Sequence, residues 1–302
     1  MGIDVPERGC AGGPQGLPRK ARTGLAGDMS QVDLEALAED VNAEYEVLAK
    51  LLERVAEDAW DVATPAPGWS VRDQITHLAF FDGITRLAIT DPHEFENFRD
   101  GLTDWQEYVD KVSEHGSGRS GRDMLLWWAH ERRELLDAAL TADPARRVPW
   151  FGPDMSLASK LTARLMETWA HGQDILDALH LDRPATSRLA HIARIGVLAF
   201  RNSFLVRGLD VPAVPVWVSL DAPHGGGTWE WGDPSATDRV SGPAEDFCIV
   251  VTQRRHVSDT SLEVVGETAV LWMSIAQAFA GPPGEGRRPG QFSRAARKDP
   301  TA

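Results

Sequence analysis

The chain has 302 residues, 42% of them hydrophobic and 25% charged, which describes a soluble globular protein with room for two domains, each burying a core of its own. With 31 Lys and Arg against 45 Asp and Glu, the formal charge of −14 argues against a nucleic-acid partner, because neutralising phosphates requires a cationic surplus. No apolar run reaches the roughly 18 residues of a membrane helix, and two cysteines, Cys10 and Cys248, suggest no disulfide framework, so a reducing cytoplasm is the expected compartment.

Residues 1–28 carry Gly, Pro, Arg and Lys without periodicity and read as a disordered extension that lacks the apolar core of a secretory signal; the folded part is expected to begin near Met29, a candidate start. From Asp33 to Trp60, residues such as Leu34, Leu37, Val41, Tyr45, Leu48 and Leu52 keep a 3.6-residue period and predict a surface helix of a bundle. A turn follows, Thr64-Pro65-Ala66-Pro67-Gly68-Trp69, and Ser70 with Asp73 three residues later forms a capping box. The helix it opens, Val71 to about Thr90, carries His77. Phe81 and Ile84 lie at i+4 and i+7 from it, so the imidazole points along an apolar stripe into the bundle. Such an inward histidine is either a hydrogen-bonded core residue or a metal ligand.

Asp91 to Ser120 reads as short helical pieces with a Gly/Ser-rich loop around His115 and Gly116, and Asp123 to Leu140 as a third bundle helix with Met124, Trp127, Trp128, Leu135 and Leu136 inward. Most of the 11 tryptophans are expected to fill the core rather than line a pocket. The loop Pro149-Trp150-Phe151-Gly152-Pro153 sets two rings before the next helix, either as a substrate wall or as a hydrophobic staple.

The central stretch, Ser156 to Leu181, predicts a long, mostly buried helix capped by Ser156. Glu167, His171 and Asp174 leave it along one stripe, since about 100° per residue returns positions three and four apart to the same face. A carboxylate and an imidazole one turn apart can hold one divalent ion from a single rigid element; the bland alternative is a buried Glu paired with a core His. Asp174 is then either a fourth ligand or an acceptor that orients a ligand imidazole. Arg164 either contacts an anionic substrate or, as the preferred reading, forms a surface ion pair.

A further helix is predicted from Thr186 to about Arg207. The pattern then changes to strands at Val214–Leu220, Thr228–Trp231 and Arg239–Ser241, a helix from Gly242-Pro243 to about Gln253, a strand at Leu262–Val265 and a last helix, Glu267–Phe279. Gln253-Arg254-Arg255-His256 sets cations at a helix end, where they either complement the dipole or, through Arg254, clamp a carboxylate across the domain cleft. The tail from Gly281 is expected to be loose.

The Thr64–Asp73 phrase followed by His77-Leu78, together with Glu167-x-x-x-His171-Gly172-Gln173-Asp174, resembles the metal-binding N-terminal domain of mycothiol-dependent maleylpyruvate isomerases, part of the wider DinB-like bundle superfamily. The resemblance covers about Asp33 to Leu181 with motifs and continues more weakly beyond. It implies a mainly α chain plus an α+β part: a DinB-like metal-binding four-helix bundle over 29–208, a small α+β C-terminal domain over 209–281 and a flexible tail over 282–302. It also implies that His77, Glu167 and His171 bind zinc or another divalent metal, with mycothiol as thiol cosubstrate in S-transfer to, or isomerisation of, a small organic electrophile. A monomer or homodimer with a small-molecule substrate, no nucleic acid and no membrane is expected. Two alternatives stay open: a metal-dependent hydrolase without a thiol, and a non-catalytic metal-binding protein.

Overall fold

The computed structural model describes residues 33–292 apart from 104–107 and 110; the expected extension over 1–28 and the candidate start at Met29 lie outside the described residues. The chain is mainly helical, a bundle followed by a small α+β part. The four longest described helices are α1 (Leu34–Leu52), α2 (Val71–Thr90), α4 (Gly121–Thr141) and α5 (Leu157–Ala178), with the shorter α3 (Pro92–Asp100) between the second and third of them. In the bundle α2 packs on α4 and α5, and α1 on α5 and α4.

Local signals start the helices, α4 two residues earlier than the expected Asp123. Asp33, Ser70, Ser120 and Ser156 each accept a backbone N–H of the first turn, and at Ser70 the capping box is complete, with the Ser70 N–H donating to the Asp73 carboxylate at 2.8 Å. The first helix is shorter than its periodicity predicts. It stops at Leu52, and Glu57–Asp61 forms a 3₁₀ turn that buries Trp60. Tertiary contact wins there: Glu57 accepts the Gly121 N–H at 2.9 Å and so caps α4 from outside it. Trp127, expected inward, is half-buried beneath the Arg119 guanidinium.

One side chain from each long helix meets at the centre. The buried Asp82 of α2 accepts from the hydroxyl of Tyr45 (2.8 Å), the indole N–H of Trp128 (3.0 Å) and Nε of Arg164 (2.8 Å). Arg164 also donates to the Leu78 carbonyl. The expected surface ion pair at Arg164 is therefore a buried one. Burial pushes the Asp82 carboxyl up despite these donors, the mark of a charge taken out of water.

The two-residue strands β1 (Arg147–Val148) and β2 (Met155–Ser156) form a hairpin that carries Trp150 and Phe151. Trp150 stacks on Phe95 of α3 at 5.7 Å, and Phe151 meets the same ring edge-on at 5.2 Å. The rings, both half-buried, pack on α3 ahead of α5.

Beneath Trp150 lies Lys160, 2% exposed, its Nζ 3.2 Å from the ring centre and without a hydrogen-bond partner. Burial pushes this amine down from 10.5 to about 6. Between those values the unfolded chain holds more protons than the folded one, so this group makes stability rise with pH across that interval. At about 1.4 kcal/mol per unit, holding this amine mostly neutral at pH 7 costs several kcal/mol. Lys160→Met is expected to stabilise the protein by about 1–3 kcal/mol at pH 7, with a gain that shrinks toward pH 10. Denaturant melts at pH 7 and pH 9 check this; a loss of stability at pH 7 would refute it.

After α5 the predicted single helix is two, α6 (Leu189–Leu198) and α7 (Phe200–Leu205), separated at Ala199, with Phe200 set edge-on against Trp272 at 5.1 Å. Strands β3 (Val216–Asp221), β4 (Thr228–Trp231), β5 (Asp238–Pro243) and β6 (Glu263–Val265) form a sheet in the order β4-β3-β5-β6, with β3 and β5 parallel and the other pairs antiparallel. Gly242 and Pro243, read as a helix start, remain in the ladder opposite Leu220 and Asp221, so α8 (Ala244–Val251) begins after them. The last helix, α9 (Glu267–Ile275), packs on β5 and β6. A single apolar cluster runs from Leu37 through Leu189 to Trp272, across the boundary expected near residue 208.

The described part of the tail is tied down rather than loose. Arg207 donates to the Gly284 carbonyl, Arg287 to Asp174, and the Gly290 N–H to Asp259.

Candidate metal centre

The helix α2 brings His77 to α5 opposite Glu167 and His171. Nε2 of His171 lies 3.1 Å from a Glu167 carboxylate oxygen, and Nε2 of His77 lies 3.7 Å from the same oxygen. The imidazoles stack with centroids 4.3 Å apart, and one donor atom from each of the three residues falls within 4.8 Å of the others. Among the described residues this is the one such group of His, Cys, Asp and Glu.

Four ligands about 2.1 Å from a tetrahedral ion lie about 3.4 Å apart. The observed spacings bracket that value. Two imidazoles and one carboxylate also match the donor set of open zinc sites, which leave a fourth position for another ligand. The residues present therefore fit the ion that the motif implies.

The walls are aromatic. Trp69, at the end of the Pro-Gly-Trp turn, lies 5.4 Å from the His77 ring and 5.8 Å from that of His171, while Phe81 lies 4.5 Å from His77, centroid to centroid. Gly68 turns the chain toward Trp69 with φ of 80°, a conformation that favours glycine. Burial, seconded by the neighbouring His171, pushes His77 down to about 3. Burial alone would raise Glu167, but hydrogen bonds from His171 and His77 in their protonated forms, and the charges those forms carry, hold it well below the usual carboxylate range.

The remaining expected site residues lie elsewhere. Asp174 is neither a ligand nor the partner of a ligand imidazole: one oxygen accepts from Arg254 at 2.9–3.0 Å and the other from Arg287 at 2.6 Å. It sits one turn beyond His171, where the C-terminal part meets the bundle, and a buried carboxylate there is satisfied by the arginines that reach it. Arg254 does clamp a carboxylate across the boundary, but that carboxylate belongs to this chain. Its neighbour Arg255 does the same with Asp177, through two contacts of 2.6 Å. Arg164 turns inward to Asp82.

One polar contact was not foreseen. Gln74, fully buried on α2, meets Nδ1 of His171 with its amide oxygen. The available signal was its position three residues before His77, on the same face.

A sequence profile of the mycothiol maleylpyruvate isomerase N-terminal domain matches residues 41–176. Two uncharacterized proteins from strains of Mycobacterium tuberculosis are each 45% identical to the chain over 249 residues, which span 82% of this chain and 96% of the relative. Among solved structures, a histidine-to-alanine mutant of the mycothiol-dependent maleylpyruvate isomerase superposes with a TM-score of 0.53 at 14% identity, over 84% of this chain and 97% of that one. Another crystal structure of that isomerase gives 0.51 at 16% identity, over 74% and 90%. At those identities the structural likeness concerns the fold. The chain belongs to one family with the two Mycobacterium tuberculosis proteins, and over residues 41–176, the helices that bring His77, Glu167 and His171 together, it carries the mycothiol maleylpyruvate isomerase N-terminal domain.

Proposed function

We propose that His77, Glu167 and His171 hold a divalent metal ion, zinc by donor set, and that the protein works with mycothiol in the isomerisation of a small organic electrophile or in S-transfer to one. The observation that carries this reading is the approach of three donor atoms, from helices distant in sequence, to within 4.8 Å of one another. The likeness of the N-terminal domain to that of maleylpyruvate isomerases supports isomerisation, in which the thiol adds beside a double bond, the bond rotates and the thiol leaves.

When bound, such an ion would lower the pKa of a coordinated thiol and keep it as thiolate at neutral pH. The chain's own residues set the terms. Glu167 contributes one negative charge beside two neutral imidazoles, so a divalent ion would keep a net positive charge and favour an anionic fourth ligand. Trp69 and Phe81 pack against the imidazoles and hold their rings in place. The buried arginines nearby engage Asp82, Asp174 and Asp177 and thereby hold α5 against α2 and the C-terminal part.

Thermal melts of the zinc-loaded protein test the reading. Mycothiol at about 100 times its Kd is expected to add about 2.7 kcal/mol of stability, while cysteine and glutathione at equal concentration add little. No shift, together with hydrolysis of model esters or amides, would replace it with a thiol-free hydrolase. Zinc binding with neither property would leave a non-catalytic metal protein.

A further inference from the structure

Three buried groups lead from the Pro-Gly-Trp turn to His171, and each has only one way to hydrogen-bond. Thr64 Oγ1 lies 2.8 Å from the Trp69 carbonyl oxygen. A carbonyl only accepts, so the hydroxyl commits its single proton there. Nε2 of Gln74 lies 2.8 Å from the same Thr64 oxygen, which can now only accept; the group facing it has to be the amide NH2. The amide is thereby oriented by its partner, and its oxygen faces Nδ1 of His171. An amide oxygen cannot donate, so Nδ1 carries the proton and Nε2 of the neutral ring is bare. Thr64 is 9% exposed, Gln74 0% and His171 8%, so water is not at hand to substitute for any of these partners.

The consequence falls on the other side of the ring. Nε2 sits 3.1 Å from the Glu167 oxygen, two electron-rich atoms face to face, an arrangement that calls for a cation between them.

We infer that Gln74 and Thr64 are positioning residues: Thr64 orients the Gln74 amide, Gln74 fixes His171 as its Nδ1–H tautomer, and the Nε2 lone pair is thereby presented to the ion shared with Glu167 and His77. This rests on the metal reading above and extends it to the turn. The turn's backbone is closed by the Thr64 N–H on the Trp69 carbonyl at 2.7 Å, so the segment before α2 has a chemical task at the site beyond starting a helix.

The test uses the full chain. Long-range ¹H–¹⁵N spectra of the metal-free protein, with the His171 signals assigned by their loss in His171→Ala, are expected to show the Nδ1–H tautomer. Zinc affinity by chelator competition is expected to fall about 10–100-fold in Gln74→Leu, the size of effect usual for groups that orient ligands. Thr64→Val lets the amide turn over and is expected to lower affinity and add Nε2–H signal, and Thr64→Ser restores both. An Nε2–H tautomer in the metal-free wild type, or wild-type zinc affinity in both Gln74→Leu and Thr64→Val, would overturn the relay. If Gln74→Leu does not fold, the Thr64 pair and the wild-type spectrum still decide. If the wild type takes up no zinc, the metal reading fails, and the tautomer spectrum still judges the relay by itself.

Discussion

Stoichiometric zinc in the purified protein is expected to disappear in both His77→Ala and His171→Ala. A zinc site of four ligands is worth about 10–16 kcal/mol at neutral pH, so one ligand carries about 3–4 kcal/mol, or about 10²–10³ in affinity. That loss leaves two protein donors, too few to hold the ion through dialysis against a mild chelator. The two variants should behave alike although their residues come from different helices, because neither α2 nor α5 carries a complete site. His93 supplies the control: it is exposed on α3, and His93→Ala should keep its zinc. Elemental analysis with a circular-dichroism check on folding reads the result, and retention of full zinc in both variants would remove the ground for the proposed chemistry.

Asp82→Ala is expected to cost about 3–5 kcal/mol, the usual penalty for leaving a buried charge without its partner. Three donors lose their acceptor at once, the Tyr45 hydroxyl, the Trp128 indole and the Arg164 guanidinium. Each comes from a different helix, so the change loosens the bundle as a whole. Paying the desolvation of both charges is unnecessary if neither is present, so Asp82→Ala combined with Arg164→Met should recover part of the loss, giving strongly non-additive free energies. Urea unfolding of the two single variants and the double variant measures this. A cost below about 1 kcal/mol for Asp82→Ala would show that the contacts hold nothing together. Because Arg164 lies one turn before Glu167 on α5, the same variants report on the site: a loosened bundle should bind zinc more weakly even though no ligand has changed.

The bounds of α2 and the caps at Ser70 and Ser156 were legible because their causes lie within four residues along the chain. The same is true of the Glu167 and His171 pair, which one helical turn brings together whatever surrounds it. His77 was legible as inward, since Phe81 and Ile84 mark its stripe. The end of α1 was not, because the group that stops it, the α4 terminus at Gly121, lies 64 residues away from Glu57. Nor was the division of the helix after Thr186, where Trp272 receives Phe200.

What the sequence alone determined, then, was direction: which side chains leave which helix on which face, and hence that His77 could meet Glu167 and His171. What only the tertiary structure decided was the partner. Asp174 shares a stripe with Glu167 and His171, yet its oxygens go to Arg254 and Arg287, 80 and 113 residues further on, and Gln74 takes the place beside His171 that periodicity offered to Asp174. The physical reason is that helical periodicity is a local property of the backbone, whereas the pairing of a buried charge is set by which opposite charge folding brings within about 3 Å of it, at whatever distance along the chain.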